Sequence, residues 1–169
     1  LVNSGGASDI GGDQGQGVLN QYQLSNIHQK IVIASLGKAI GLTGGFIAGD
    51  SHFIDEIKKQ QNFIGASGMN PAFLETYCNA QEIYQLQKLK LQQNLNYLNN
   101  HFTNRTFYNF HPSYPIIYFD NESISKKLYE NKIVTTSFKY TNASGKLNRI
   151  VITANHTLDD LDHLIAQLS

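Results

Sequence analysis

The residues best suited to chemistry in this chain are Ser35 and Lys38, three positions apart, and Arg149 far downstream. Lys38 follows the apolar, β-branched run of residues 31–36, which predicts a strand buried on both faces because it does not alternate with polar residues. An ammonium group beside such a strand is costly unless it has a partner or a chemical role. A partly desolvated lysine can carry a neutral amine, and such an amine can form a Schiff base with an aldehyde cofactor.

Two other interpretations fit the same residues. Ser35 and Lys38 also satisfy the Ser-x-x-Lys pattern of penicillin-binding proteins and serine β-lactamases, in which the serine is the nucleophile. Those enzymes also need Ser-Asp-Asn and Lys-Thr-Gly elements, and the sequence contains neither tripeptide. A lysine after a strand is also commonly a surface residue whose aliphatic stem covers apolar neighbours. The tract alone therefore suggests a Schiff-base lysine without deciding for it.

The composition of the 169 residues argues against several classes of function. The 13 basic and 13 acidic residues are interspersed, without a basic stripe, so nucleic acid is not an expected partner. Cys78 is the only cysteine, which excludes a disulfide framework and favours a cytoplasmic location. No apolar run approaches the ~18 residues of a membrane span, so no membrane partner is expected. No metal site is predicted, and the start at Leu1 without a methionine suggests a piece of a longer polypeptide.

The spacing of apolar residues predicts an α/β fold with a glycine-dense binding loop over residues 3–17. Strands are expected at residues 31–36, 45–49, 114–119, 132–138 and 149–153, and a short strand followed by a loop is expected within residues 62–68. Helices are expected after Asp50 or Ser51, from Asn70 to about His101, over residues 123–131, and after a capping box at residues 157–160. The Asn- and Gln-rich segment, residues 92–100, is interpreted as the solvated face of the long helix.

The order of these pieces resembles the C-terminal half of fold-type I enzymes that depend on pyridoxal 5′-phosphate, and more narrowly the α-oxoamine synthase family. Five signatures carry the resemblance: Gly-x-x-Gly-x-Gly at 12–17, Ser-x-x-Lys-Ala-x-Gly at 35–41, Gly-Gly-(apolar)₃-Gly at 44–49, Phe-Ile…Ser…Pro-Ala at 63–72, and Arg-(x)₃-Thr-Ala-x-His at 149–156. The implied fold is the end of the large αβα domain, residues 1–72, a linking helix, 73–101, and a small α+β domain, 102–169. The implied reaction joins an amino acid to an acyl thioester of coenzyme A or acyl carrier protein, with loss of carbon dioxide.

The resemblance also implies a role for each matching residue. Lys38 would hold pyridoxal 5′-phosphate as a Schiff base and move the proton of the substrate α-carbon. Ser35 would bind the cofactor phosphate, and Ser67 would reach the phosphate of the neighbouring subunit, which implies a homodimer with a shared active site. Arg149 would bind the amino-acid carboxylate, for which a guanidinium supplies a planar pair of donors. A surface arginine paired with an acid is the alternative for Arg149.

Two cofactor-contacting positions depart from the family. Asn3 stands where the family has an aspartate that keeps the cofactor ring nitrogen protonated, and Gly6 stands where it has a histidine at the ring oxygen. An amide can still bond the ring nitrogen, but it offers no charge to hold the pyridinium. These departures, and the N-terminal half that the family would add, predict that the isolated chain is inactive. They also keep open a non-catalytic scaffold subunit of the same fold.

Overall fold

The computed structural model describes residues 2–3, 28–103, 106, 108–139 and 145–169. The chain divides into two compact units, Leu1–Gln85 and Leu86–Ser169, and each is described by itself. The functional division expected from the sequence, with boundaries after residues 72 and 101, stays a prediction. None of the described helices combines the length and apolar character that crossing a bilayer requires.

The first unit contains a three-stranded sheet that positions Lys38. Its strands in chain order are β1 (Val2–Asn3), β2 (Val32–Ser35) and β3 (Gly45–Ala48). β2 lies in the middle, parallel to β1 and antiparallel to β3. The strands predicted at 31–36 and 45–49 are confirmed. However, the expected burial on both faces is not met by the described residues, because Val32 and Ile33 are only half-buried.

Three helices follow the sheet: α1 (Ser51–Lys58), α2 (Gln61–Ile64) and α3 (Pro71–Asn79). Asp50 caps α1 by accepting the N–H of Phe53 at 2.8 Å, as one of the two predicted caps would. Asn70 caps α3 in the same way at the N–H of Ala72, and its neighbouring proline occupies the first turn. The strand predicted within 62–68 is wrong. Backbone hydrogen bonds to the carbonyls of residues 60 and 61 close α2 locally, so this segment needs no partner strand.

The predicted single helix from Asn70 to His101 is instead two helices, α3 and α4 (Gln81–His101), separated at Ala80. Ala80 has φ −94° and ψ 12°, outside regular helical geometry. Side chains occupy two backbone carbonyls on the N-terminal side of the break. The Thr76 hydroxyl donates to Ala72 O at 2.7 Å, and the Gln81 amide donates to Tyr77 O at 2.7 Å. Such bonds compete with the helical ladder, which explains why the helix is interrupted here.

The second unit is an antiparallel sheet covered by helices. Its strands are β4 (Asn109–Phe110), β5 (Ile116–Phe119), β6 (Thr136–Lys139) and β7 (Lys146–Val151), in the spatial order β4-β5-β7-β6. Its helices after α4 are α5 (Glu122–Glu130) and α6 (Leu158–Leu168). The strand predicted at 132–138 begins only at 136. Lys132 adopts φ 65°, its N–H bonds Tyr129 O, and the N–H of Ile133 bonds Leu128 O, so the first two residues of the predicted strand instead close the end of α5.

The two faces of this second sheet differ in what they contact. One face carries Ile117, Phe119 and Ile150, which are buried against residues of the helices. The core formed there consists of Leu95, Leu98, Phe102, Ile117, Phe119, Leu128, Ile150, Ile152, Leu161, Leu164 and Leu168. The strand registers place Tyr118, Arg149 and Thr136 in one row on the opposite face. The fold thus presents Arg149 on the sheet face turned away from the core.

Candidate active site

The turn that carries Lys38 is closed by backbone hydrogen bonds on both sides. Gly41 N–H donates to Lys38 O at 3.1 Å, and Leu42 N–H donates to Leu36 O at 3.0 Å. Leu36 N–H in turn donates to Gly44 O at 2.9 Å, and the Leu36 side chain is buried. The turn is therefore anchored at the end of β2 by one apolar side chain and a closed set of main-chain bonds.

Ser35, the last residue of β2, points its hydroxyl oxygen at the start of this turn. Gly37 N–H donates to Ser35 Oγ at 3.3 Å. That bond uses one acceptor position of the hydroxyl and leaves its proton to be donated to an anion. Ser35 is exposed, so an incoming phosphate oxygen could reach it. The structure thus places Ser35 and Lys38 in one turn, as the sequence predicts.

Two glycines in the turn have backbone geometry that other residues rarely adopt. Gly41 has φ 71° and Gly44 has φ 130°, both in the left-handed region. At Gly45 a larger residue is excluded by a steric clash and not by the backbone torsion angles, because a Cβ there would lie 2.7 Å from Ala34 O. These positions explain why the signature is rich in glycine: the chain must turn sharply and then pair closely with β2.

Lys38 itself is exposed. The sequence predicts a partly desolvated lysine, and the described residues do not provide that environment. The physical reason is its position: Lys38 lies in the turn beyond the last residue of β2, outside the part of the sheet that β1 and β3 flank. Burial of this amine therefore requires groups other than the described neighbours.

Two side chains outside the Ser-x-x-Lys-Ala-x-Gly signature support the turn, and no pattern in the sequence predicts either contact. Tyr84, on α4, donates its hydroxyl to Ile40 O at 3.0 Å, two residues after Lys38. Met69 lies against Gly44, with its sulfur 3.2 Å from where a Cβ would be. Nothing in the local sequence links Tyr84 to Ile40, since they are 44 residues apart. The Met69 contact brings the loop that contains Ser67 next to the glycine turn.

The remaining predicted cofactor contacts are placed only in part. Asn3 lies on β1 and pairs in register with Ile33 of β2. Because β1 and β2 are parallel, their carboxyl ends meet at the same edge of the sheet, which is where ligands of such sheets bind. Gly6 and the glycine-dense loop lie outside the described residues. Ser67 is exposed in the loop between α2 and α3.

Arg149 lies in the second unit, half-buried on β7. Its Nε–H donates to Thr136 Oγ1 at 2.9 Å, and its guanidinium carbon lies 4.8 Å from the centre of the Phe138 ring. None of the ion pairs among the described residues includes Arg149. The alternative that Arg149 serves a surface salt bridge therefore finds no acidic partner in the described part of the chain.

The loop that follows Arg149 is held by Asn94, a residue of the Asn- and Gln-rich segment that was expected to be solvated. Asn94 is buried on α4, and its amide donates to Thr153 O at 2.9 Å and His156 O at 3.0 Å. His156 Nδ1 also accepts the N–H of Thr153 at 3.1 Å. The Thr-Ala-x-His signature thus describes a loop closed on itself and fastened to α4. One member of the Asn- and Gln-rich segment is a structural residue.

Comparison with known proteins agrees with this arrangement. The family model described as "Aminotransferase class I and II" matches residues 10–168. The chain belongs to the aminotransferase class I and II family. Its fold is accordingly that of the pyridoxal-phosphate-dependent aminotransferases, of which the chain covers a part.

The similar curated proteins are 8-amino-7-oxononanoate synthases. That of Petrotoga mobilis is 30% identical over 99% of this chain and 45% of its own length. That of Coprothermobacter proteolyticus is 30% identical over 94% of this chain and 43% of its own length. The chain therefore spans less than half the length of the curated relatives that it matches, and it corresponds to their C-terminal half.

Solved structures show the same fold at lower identity. The 8-amino-7-oxononanoate synthase of Francisella tularensis matches with a TM-score of 0.71 and 20% identity, over 99% of this chain and 52% of that one. The serine palmitoyltransferase of Sphingomonas wittichii matches with a TM-score of 0.76 and 16% identity, over 99% of this chain and 45% of that one. These structures show that the fold is shared, and together with the family model and the curated relatives they confirm the resemblance stated from the sequence.

Proposed function

We propose that this chain is the C-terminal part of a pyridoxal-phosphate-dependent acyltransferase that joins an amino acid to an acyl thioester with loss of carbon dioxide. The specific reaction we propose is that of 8-amino-7-oxononanoate synthase, which joins L-alanine and a pimeloyl thioester in biotin synthesis. The observation that carries the proposal is the anchored turn after β2, which contains both Ser35 and Lys38.

The donor groups of the described residues fit this cofactor. Pyridoxal 5′-phosphate has an aldehyde, a ring nitrogen and a phosphate. Lys38 supplies a primary amine for the aldehyde, and Ser35 retains a hydroxyl proton for a phosphate oxygen. Asn3, on the parallel neighbour of β2, is the residue that we assign to the ring nitrogen. When bound, the cofactor supplies the electron sink for charge at the substrate α-carbon.

Each residue of the chain then has a task that follows from its chemistry. The Lys38 amine removes and returns the α-proton, for which it must be neutral and close to the carbon. Arg149 fixes the amino-acid carboxylate, so the α-carbon is held in one orientation during proton removal. We assign the desolvation of Lys38 to the half of the enzyme that the relatives add and to a second subunit, which contributes Ser67 to a shared site. The isolated chain is accordingly proposed to be inactive.

Asn3 is proposed to lower the rate rather than abolish it. Losing a buried charge-assisted contact costs on the order of 1.5–3 kcal/mol. If that loss falls on the transition state, the rate is reduced roughly tenfold to a hundredfold.

The test uses the complete natural polypeptide that contains this chain, incubated with pyridoxal 5′-phosphate and then reduced with borohydride. We expect visible absorbance that borohydride abolishes, with the cofactor fixed on the peptide that contains Lys38. Lys38→Ala should take up no covalent cofactor, and Lys58→Ala, on exposed α1, is the matched control that should label normally. Labelling of another lysine would overturn the assignment of Lys38.

A product assay separates the members of the family. We expect L-alanine with a pimeloyl thioester to react faster than glycine with acetyl coenzyme A. The reverse preference would favour an enzyme like glycine C-acetyltransferase.

Asn3 and Gly6, which replace two expected cofactor contacts, favour a second candidate, a non-catalytic scaffold subunit. A complete polypeptide that stays colourless in excess cofactor would support that candidate.

A further inference from the structure

The hydroxyl of Thr136 contacts Arg149 twice. It accepts the Nε–H of the guanidinium at 2.9 Å and donates to the backbone O of Arg149 at 3.4 Å. Thr136 and Arg149 are also directly paired across β6 and β7, so the two side chains start from adjacent points on the same sheet face. Thr136 therefore contacts Arg149 both at its backbone carbonyl and at Nε. These two contacts leave the Arg149 side chain few accessible rotamers.

Phe138 restricts the same side chain from another side. It lies two residues after Thr136 on β6, so both side chains leave the strand on the same face. The guanidinium carbon lies 4.8 Å from the ring centre, within the range of a cation–π contact. The hydroxyl and the ring together restrict where the guanidinium can lie.

The donors that remain on Arg149 are its terminal ones. A guanidinium has five N–H groups, and the Thr136 bond takes the one on Nε. The two terminal nitrogens form the parallel fork that matches a carboxylate. No carboxylate among the described residues forms an ion pair with them.

From this geometry we infer that Thr136 and Phe138 are positioning residues that hold Arg149 with its two terminal nitrogens directed at the substrate carboxylate. This inference rests on the proposed function, in which Arg149 binds the amino acid. An arginine side chain is long and loses rotamer freedom when it grips a ligand. Fixing it beforehand lowers that loss and so tightens binding. Because the bound arginine still orients the α-carbon in either case, the effect of fixing it beforehand is expected in amino-acid binding and only weakly in kcat.

The experiment measures amino-acid KM and kcat for the complete polypeptide with cofactor. Thr136→Val removes the hydroxyl and keeps the shape, and we expect it to raise KM about tenfold with kcat within about twofold. Thr136→Ser keeps the hydroxyl and should restore KM to near the parent value. Phe138→Leu should raise KM by about threefold. Ser137→Ala, which removes a hydroxyl from the opposite face of the same strand, is the control that should change neither constant.

A second readout uses an amine that lacks the carboxylate, such as ethylamine, as a competitive ligand. Its binding should be unchanged in Thr136→Val, because the loss lies in carboxylate recognition. Equal KM in the Val and Ser variants, or equal weakening of the amine, would overturn the positioning role while leaving the proposed function intact. If Arg149→Ala leaves amino-acid KM unchanged, the carboxylate role itself is wrong and the proposed function loses that residue.

Discussion

The two units of this chain have similar elements but differ in how they are held together. In the second unit, α4, α5 and α6 bury a continuous apolar cluster against one sheet face. In the first unit, the buried apolar residues among those described are Ala34 and Leu36, and α1, α2 and α3 bury none. The second unit is therefore stabilised by its own core, while the first depends on groups beyond its described residues.

The exposed apolar surface of the first unit shows where that dependence lies. Phe46 and Ile47 on β3 and Phe63 on α2 are 46%, 42% and 52% exposed. They line an open groove of about 530 Å³ together with Ile54 and Ile57 of α1. Apolar surface of this kind is costly in water. The unit that carries Lys38 thus exposes apolar side chains without a large buried core, whereas the unit that carries Arg149 has such a core, although it also exposes apolar residues such as Leu89 and Val134.

A comparison of α1 with α6 shows that the difference in burial between the two units does not come from the sequences of their helices. Both are amphipathic helices with side-chain caps, formed by Asp50 and Thr157 respectively. Yet α6 buries Leu161 and Leu164, whereas the apolar residues of α1 are only half-buried. Helical periodicity therefore predicts that an apolar face exists, but the partner that covers it decides how much stability that face contributes.

The largest effect expected from this comparison is at Leu98, which is fully buried on α4. Leu98→Ala should destabilise the second unit by about 2–5 kcal/mol, because it removes apolar contacts and leaves a cavity. The measurement is the free energy of unfolding from urea-dependent hydrogen exchange of β5 and β7 amides. Leu86→Ala, 60% exposed on the same helix, is the matched control and should change this energy by less than about 0.5 kcal/mol.

Ile47→Ala extends the same test to the first unit. Ile47 is 42% exposed, so its truncation should leave the β5 and β7 amides unaffected and should cost β2 and β3 less than Leu98→Ala costs the second unit. If Ile47→Ala were as damaging as Leu98→Ala, the first unit would possess a core of its own, and the contrast between the units would be lost.

Asn148 offers a test of how completely the second unit is closed. It is 1% exposed on the core face of β7, and neither its Oδ1 nor its Nδ2 has a hydrogen-bond partner in the described part of the chain. A buried unpaired amide costs about 1–3 kcal/mol, so Asn148→Leu should raise the free energy of unfolding by up to that amount.

Asn148→Asp is the opposing variant, because a buried carboxylate at the same position would lose more hydration than an amide. It should lower the free energy of unfolding in the same hydrogen-exchange measurement. If Asn148→Leu also lowered the free energy of unfolding, the Asn148 amide would have a hydrogen-bond partner. That bond would then explain why the amide is accepted in the core.

The parts of the fold that the sequence predicts are those with local causes. β2, the glycine turn, the caps at Asp50 and Asn70, and the capping box that begins at Thr157 all follow from residues within a few positions of one another. The wrong predictions concern segments whose structure is set by causes other than apolar patterning. The helical turn at 61–64 and the late start of β6 depend on backbone bonds that apolar patterning does not report.

In the candidate site, too, the sequence predicts contacts between neighbouring residues but not contacts between distant ones. The pairing of Ser35 with Lys38 is visible in the sequence because it lies within one turn. The roles of Asn94, Tyr84 and Thr136 are not, because their partners lie 59, 44 and 13 residues away. The exposure of Lys38 also escapes prediction, since a strand pattern indicates an apolar surface but not whether another segment covers it.

The helix caps provide a smaller test of the two units. Thr157→Ala removes a side chain that caps the backbone N–H of Asp160, and should cost the second unit about 1 kcal/mol. Thr157→Ser should retain most of that stability. Asp50→Ala, the equivalent change on α1, should increase exchange within α1 without altering the unfolding of the second unit. Equal effects of the two Ala variants on β5 and β7 amides would mean that the units unfold together.

The smallest expected effect is a pH dependence at the same caps. The pKa of Asp160 is lowered from its usual 3.8 by the backbone N–H of Thr157 and then by the Thr157 hydroxyl, and the pKa of Asp50 is lowered from 3.8 by the N–H of Phe53 and then by the Gln29 amide. A carboxyl whose pKa is lower in the folded state stabilises that state above its unfolded pKa, and the contribution is lost as pH falls through the folded pKa.

Below about pH 4, therefore, Asp160→Asn should reduce the acid sensitivity of the second unit, while Asp50→Asn should change only exchange within α1. Hydrogen exchange of each unit between about pH 5 and pH 3 measures both. Because α6 packs on a closed core and α1 does not, protonation of Asp160 must act on the cooperative unfolding of a whole unit, whereas protonation of Asp50 acts on one helix. An acid-sensitive second unit that ignores Asp160→Asn would place its sensitivity at Glu122 instead, whose pKa is lowered by Lys146.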